Sequence, residues 1–273
     1  MRITILFLSL FIALTTYGQK SYKELSEEAL DYVAKDSLQQ AENLFKEALK
    51  LEPTNPHNAL LFSNLGTVQR RMGRNEDAID SYTYALNLSS KTVPILLNRA
   101  SLYMEMGNLD RAYLDYCNVL DLNKNNDEAL LYRAYIYVKR RDYKAAELDY
   151  KRLLQLKPDS KNGQLGLATL YQKMQKYRES LEWINKLVTE YPNDAVMYVV
   201  RADVERDMKH PDLALLDLER AIALDASSVE AYLMRGDVYL EQKKKGLAKA
   251  DFEKAISLGV PQSELHDRLK QCK

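Results

Sequence analysis

The chain has 273 residues, 46% of them apolar and 29% charged, which is the make-up of a folded protein rather than a disordered one. Lysine plus arginine equals aspartate plus glutamate, 39 of each, so overall charge does not favour a nucleic acid partner. Nine glycines and seven prolines are too few for a fold of many tight strand turns, which points to helices.

From the amino terminus, the first segment stands apart. Arg2 precedes the run ITILFLSLFIAL, Ile3 to Leu14, which is followed by TTYGQ. An early positive charge, about twelve apolar residues and a small-residue exit describe a secretory signal peptide over residues 1–18, with cleavage expected after Gly18. The run falls short of the ~20 residues a helix needs to cross a bilayer. The expectation is an exported chain, periplasmic or secreted, with no stable membrane insertion once the segment is removed. An uncleaved N-terminal anchor is the alternative.

Next comes a repeat. The stretch LLNRASLY, Leu96 to Tyr103, returns as LLYRAYIY at Leu130 to Tyr137, 34 residues on. Aligned at that interval, Gly66, Ala100, Ala134, Ala168, Ala202 and Gly236 form one small-residue series. Twelve residues after each stands another small one: Ala78, Ala112, Ala146, Ser180, Ala214 and Ala248. Four further on comes a bulky residue, as in Tyr82, Tyr116, Tyr150 and Phe252. Ala29, Ala41 and Phe45 begin the series, with three extra residues around Pro56-His57-Asn58 before the next copy.

Small residues on two neighbouring helices let their backbones approach, and large residues fill the space beside the contact. Turn signals fall within the copies at Gly73, Gly107, His210-Pro211 and Gly246, and between them at Pro53, Pro158 and Pro192. Each unit is therefore two antiparallel helices that bury their apolar faces only by stacking on neighbours.

The period, the small–small–aromatic–proline order and the paired helices resemble tetratricopeptide repeats. Seven are expected across 19–260, starting near Tyr22, Ala59, Val93, Asp127, Lys161, Ala195 and Val229, with a capping helix over 261–273. The resemblance implies an all-α fold, a right-handed α-solenoid of stacked antiparallel helix pairs. The family's early tryptophan is replaced by Leu25, Phe62, Leu96, Leu130, Gln164, Tyr198 and Tyr232. Its late proline survives only as Pro53, Pro158 and Pro192. In such a stack several helix layers separate Cys117 from Cys272, beyond the ~7 Å Cα spacing a disulfide tolerates, so no bond between them is expected.

Four arginines in otherwise apolar helices each have an aspartate sixteen residues later: Arg99 with Asp115, Arg133 with Asp149, Arg201 with Asp217, and Arg235 with Asp251. The other copies hold Glu28 with Leu44, Leu65 with Ser81, and Leu167 with Trp183. This pattern suggests one contact with two solutions, a structural ion pair or largely apolar packing.

No catalytic signature is present. His57, His210 and His266 lack a second metal ligand at helical spacing, and Gly163 and Gly166 have no phosphate-loop context. The run Lys243-Lys244-Lys245 reads as a solvated helix boundary. No enzyme activity, metal or cofactor is expected. By the family resemblance, the first helix of each repeat lines a concave groove. Its inward residues would include basic Arg70, Arg71, Lys139 and Lys173 toward one end. Asp203, Asp207, Glu230 and Asp237 would lie toward the other, with Tyr132, Tyr135, Val200 and Met234 between. The expected partner is a protein or peptide segment, with apolar anchors at the centre and charges setting direction. The family's clamp for carboxyl-terminal tails is absent, only Asn64 and Asn98 matching it. An envelope enzyme or carbohydrate-processing accessory with scattered site groups, and a passive spacer, are the alternatives.

Overall fold

In a computed structural model, residues 20–273 are described, and the expected signal segment lies outside them. The described residues hold fifteen α-helices, one short 3-10 turn and no strand. They divide into two compact units, the first ending at Lys124 and the second running from Asn125.

The first unit contains three helix pairs: α1 (Tyr22–Ala34) with α2 (Leu38–Leu51), α3 (Asn58–Arg71) with α4 (Asn75–Leu88), and α5 (Val93–Glu105) with α6 (Leu109–Leu122). The second contains four: α7 (Asp127–Lys139) with α8 (Tyr143–Leu156), α9 (Lys161–Lys173) with α10 (Tyr177–Glu190), α11 (Ala195–Asp207) with α12 (Pro211–Leu224), and α13 (Val229–Glu241) with α14 (Lys245–Ser257). A 3-10 turn, Gln262–Leu265, leads into the short α15 (His266–Gln271). Within each unit the second helix of a pair also packs on the first helix of the next pair. The described residues are thus all-α, and each unit is a stack of helix pairs.

Local sequence explains the element starts. Ser21 forms a capping box with Glu24, and the side chains of Asn108, Asn126, Asp142, Ser160, Asp194 and Ser228 each accept a backbone N–H of the first turn. The small-residue series is fully buried where the helices cross: Ala29, Ala41, Ala78, Ala100, Ala112, Ala134, Ala146, Ala168, Ala202 and Ala214 are 0% exposed. Beside them Phe45, Tyr82, Tyr116 and Phe252 are equally hidden.

The turn between paired helices needs one residue with left-handed backbone. Glycine meets this need at Gly73 (φ 75°) and Gly107 (φ 73°), but Asp36, Arg141, Gln175, Lys209 and Lys243 adopt it elsewhere with φ between 58° and 64°. Gly246, read from sequence as such a turn residue, instead lies in the first turn of α14, and Lys243 makes the turn. A Cβ at positive φ is strained, and glycine relieves the strain while costing some unfolded-state entropy. Gln175→Gly should therefore raise stability by about 0.5 kcal/mol, read from the urea midpoint.

The missing tryptophan is replaced in two repeats by a polar tether. Gln164, 0% exposed, donates from Nε2 to the Pro158 carbonyl at 2.7 Å, and Tyr198 donates its hydroxyl to the Pro192 carbonyl at 3.0 Å. Both side chains fasten a first helix to the linker six residues before it.

Candidate functional site

All four arginines meet their own aspartates through two parallel bonds. Arg99 donates from Nε and Nη2 to Asp115 at 2.8 Å each, and Arg133 to Asp149 at 2.7 and 2.9 Å. Arg201 reaches Asp217 at 2.8 and 2.6 Å, and Arg235 reaches Asp251 at 2.9 and 2.7 Å. The aspartates are buried and the arginine side chains 18–24% exposed. Arg99 and Arg201 also reach the preceding repeat, a partner that the sixteen-residue pairing did not reveal. Arg99 Nη1 donates to Thr83 Oγ1 at 3.0 Å, and Arg201 Nη1 to Asn185 Oδ1 at 2.9 Å. Tyrosine rings lie over the guanidinium groups, with Tyr103 6.0 Å from Arg99 and Tyr137 5.8 Å from Arg133. Each pair thus joins the two helices of its own repeat.

The three repeats without the pair differ from one another. In the fifth, Leu167 and Trp183 share one apolar cluster. In the first, Leu44 packs on the core while Glu28 pairs with Lys20. The second is polar: Leu65 is buried, but Ser81 donates to Gln69 Oε1 at 2.7 Å, and Gln69 donates to Glu42 at 3.3 Å.

Glu42 is the centre of a buried network that has no sequence motif. Only 1% exposed, it pairs with Arg74 and with Lys46, the latter at 2.8 Å, and accepts from Gln39 at 3.1 Å. Burial pushes its carboxyl up, but the hydrogen bonds from Arg74, Lys46 and Gln69 outweigh that and hold it at about 2.

In the first unit the expected basic groove residues are neutralised. Arg70 donates from Nε to Glu105 at 3.0 Å and from Nη2 to Ser101 at 3.0 Å. Arg71 pairs with Asp36 at 2.7 Å. Both cations therefore tie neighbouring repeats together.

In the second unit the first helices of the pairs lie side by side, α7 touching α9 and α11 touching α13. Tyr132 and Tyr135 project from α7 at 38% and 40% exposure, and Lys139 Nζ lies 5.2 Å from the Tyr135 ring. On α9, Gly166 sits where a Cβ would come within 2.5 Å of the Tyr150 ring. The buried Tyr150 ring fills the space a side chain would need there, and its phenol is pushed up, mainly by burial and also by the nearby Tyr135. Lys173 is exposed at the end of the same helix.

The acidic side is partly occupied. Gln172 Nε2 donates to Asp203 and Asp207 at 2.8 Å each, and Asp203 also accepts from Arg206 at 2.9 Å. Asp237 is bound by Arg268 of α15 at 2.7 and 2.9 Å, so the carboxy-terminal helix covers it and it is not free for a partner. Glu230 is exposed. Val200 and Met234 are half-buried against core clusters, and Val199 beside them is inside the core, which leaves the apolar strip narrower than expected. Exposed groups on this face are thus Tyr132, Tyr135, Lys139, Lys173, Asp207 and Glu230.

The comparisons with known proteins agree with this architecture. Tetratricopeptide repeat family models match residues 26–91 and 97–161, 137–203, and 229–258. A crystal structure of a tetratricopeptide repeat protein from Parabacteroides merdae is 37% identical, with a TM-score of 0.81. The match covers 93% of this chain and 99% of that one. Pseudomonas aeruginosa PilF is 16% identical with a TM-score of 0.61, covering 77% of this chain and 94% of that one, a likeness of fold alone. Mouse DnaJ homolog subfamily C member 7 is 33% identical over 87 residues, 32% of this chain and 18% of that protein. The matched stretch thus spans about a fifth of the length of that relative.

Proposed function

The chain belongs to the tetratricopeptide repeat family, and on that premise we propose that it is a non-catalytic scaffold holding a segment of a partner protein on the first-helix face of its second unit. The observation that carries this reading is the exposed tyrosine pair, Tyr132 and Tyr135, on α7. Two neighbouring exposed aromatic side chains offer a partner a large area to cover. The cations Lys139 and Lys173 lie to one side and the carboxylates Asp207 and Glu230 to the other, which gives a bound segment a preferred direction. We further propose that this happens outside the cytoplasm, the apolar run Ile3–Leu14 acting as an export signal. None of the described helices is long and apolar enough to cross a membrane.

Crosslinking in the native envelope followed by mass spectrometry tests the binding face. Tyr132→Ala combined with Tyr135→Ala should lower capture of the principal partner about tenfold, a hot-spot loss of the size expected for buried tyrosines, with the helical spectrum unchanged. An unchanged set of captured proteins would remove the tyrosine face from consideration. Protein purified from its own host should begin at Gln19; a chain still starting at Met1 would contradict cleavage.

A further inference from the structure

The outer side of the second unit carries a surface that the tyrosine face does not explain. On α8, Lys144, Leu148, Lys151, Arg152 and Gln155 recur at intervals of three and four and so share one exposed side of the helix. Leu148 is 70% exposed, more than any other large apolar side chain among the described residues. With Leu156, two turns further along, it borders a cleft of about 490 Å³ whose lining includes Arg152, Gln155 and Asn125.

This side of α8 is also cationic in a chain whose formal net charge is zero. Lys151 pairs with Glu147 at 2.6 Å, but Arg152 donates to the neutral amide oxygen of Asn125 at 3.0 Å. Arg141 and Lys144 add two exposed charges at the helix start, where Asp142 is engaged as the cap and Glu147 is paired with Lys151. The first turn of α8 holds no acidic residue, whereas α4, α6, α7, α10 and α12 each place at least one there. Cations at that end oppose the helix dipole, so their placement gives up local stability. The other second helices of this unit do not repeat the combination. Glu182 takes the position of Leu148 on α10, Leu216 on α12 is flanked by Asp212, Glu219 and Arg220, and α14 has Leu247 as its single exposed leucine.

We propose that the outer side of α8 docks an acidic amphipathic helix of a partner protein, a contact independent of the tyrosine face. Apolar side chains two turns apart on the partner enter the cleft around Leu148 and Leu156, about 12 Å apart along the axis. Carboxylates beside them meet Arg152 at one end and Lys144 with Arg141 at the other. A protein segment fits better than an anionic bilayer because the apolar element is a recess between two leucines with amide groups in its lining. A membrane-surface helix instead presents a projecting apolar ridge.

The test uses the full chain and two synthetic helix-stabilised peptides with leucines two turns apart, flanked by glutamates in one and by lysines in the other. The glutamate peptide should bind, the lysine peptide should not, and added salt should weaken the complex. Leu148→Glu and Arg152→Glu, both at the surface and checked by circular dichroism, should each weaken binding about tenfold or more. Tyr132→Ala with Tyr135→Ala should leave it unchanged, which separates this contact from the inner face. Equal binding of the two peptides, or no effect of Arg152→Glu, overturns the proposal. So does Leu148-dependent retention on phosphatidylglycerol vesicles by a chain that ignores the glutamate peptide.

Discussion

Asp149→Ala should destabilise the second unit by about 3 kcal/mol, because it leaves the Arg133 guanidinium inside the helix pair without its carboxylate. The geometry sets the size. Asp149 is 3% exposed and accepts two bonds below 3 Å, so its loss cannot be made good by water. Arg133 keeps 22% of its side chain exposed, which holds the cost to the lower part of the range for buried pairs. The informative variant is the double one. The fifth repeat fills the same two positions with Leu167 and Trp183, so an apolar solution already exists in this chain. Arg133→Leu with Asp149→Leu should therefore recover most of the stability that either single change loses. Urea unfolding followed by circular dichroism reads both. A double mutant no more stable than Asp149→Ala would mean that the pair is not the unit of the contact.

The second large effect is expected at Glu42 and depends on pH. Its carboxyl is held at about 2 in the folded chain, against an ordinary value of 4.5. A depressed carboxylate contributes stability that is complete above the unfolded value and is lost as pH falls through the folded one. The window is thus roughly pH 4.5 down to 2, and the difference corresponds to about 3 kcal/mol. Glu42→Gln should remove a similar amount at neutral pH by leaving Arg74 and Lys46 without their anion, and should flatten the acid limb of the stability profile. An acid limb identical in wild type and variant would show that other carboxylates govern it.

The parts of the fold that depend on spacing within one helix pair were legible in the sequence. Small residues twelve apart meet because they sit at the crossing of two short antiparallel helices, and an arginine finds an aspartate sixteen residues on for the same reason. The turns were less legible, since left-handed backbone is carried by Asp36, Arg141, Gln175, Lys209 and Lys243 rather than by glycine. The face residues suffered most. The partners of Arg70 and Arg71 were not legible because they lie one repeat away, on Glu105 and Asp36, each 35 residues distant. Asp237 read as free because Arg268, 31 residues later, belongs to the terminal helix. Gln172 bridges Asp203 and Asp207 at the same two intervals of 31 and 35. A search for polar partners at those separations would have found all of them, because successive repeats place residues so related close together. Glu42 had no such signal, being buried by a neighbouring pair through Arg74 in an inter-helix turn.

The most direct test of partner binding on the inner face is photo-crosslinking from two positions of the same unit. A photoreactive phenylalanine analogue at position 135 on α7 should yield a discrete adduct with a partner protein in the native envelope. The same analogue at position 182, exposed on α10 away from the tyrosines, should not yield that adduct. Adducts of the same partner from 182 but not from 135 would contradict binding at the tyrosine face.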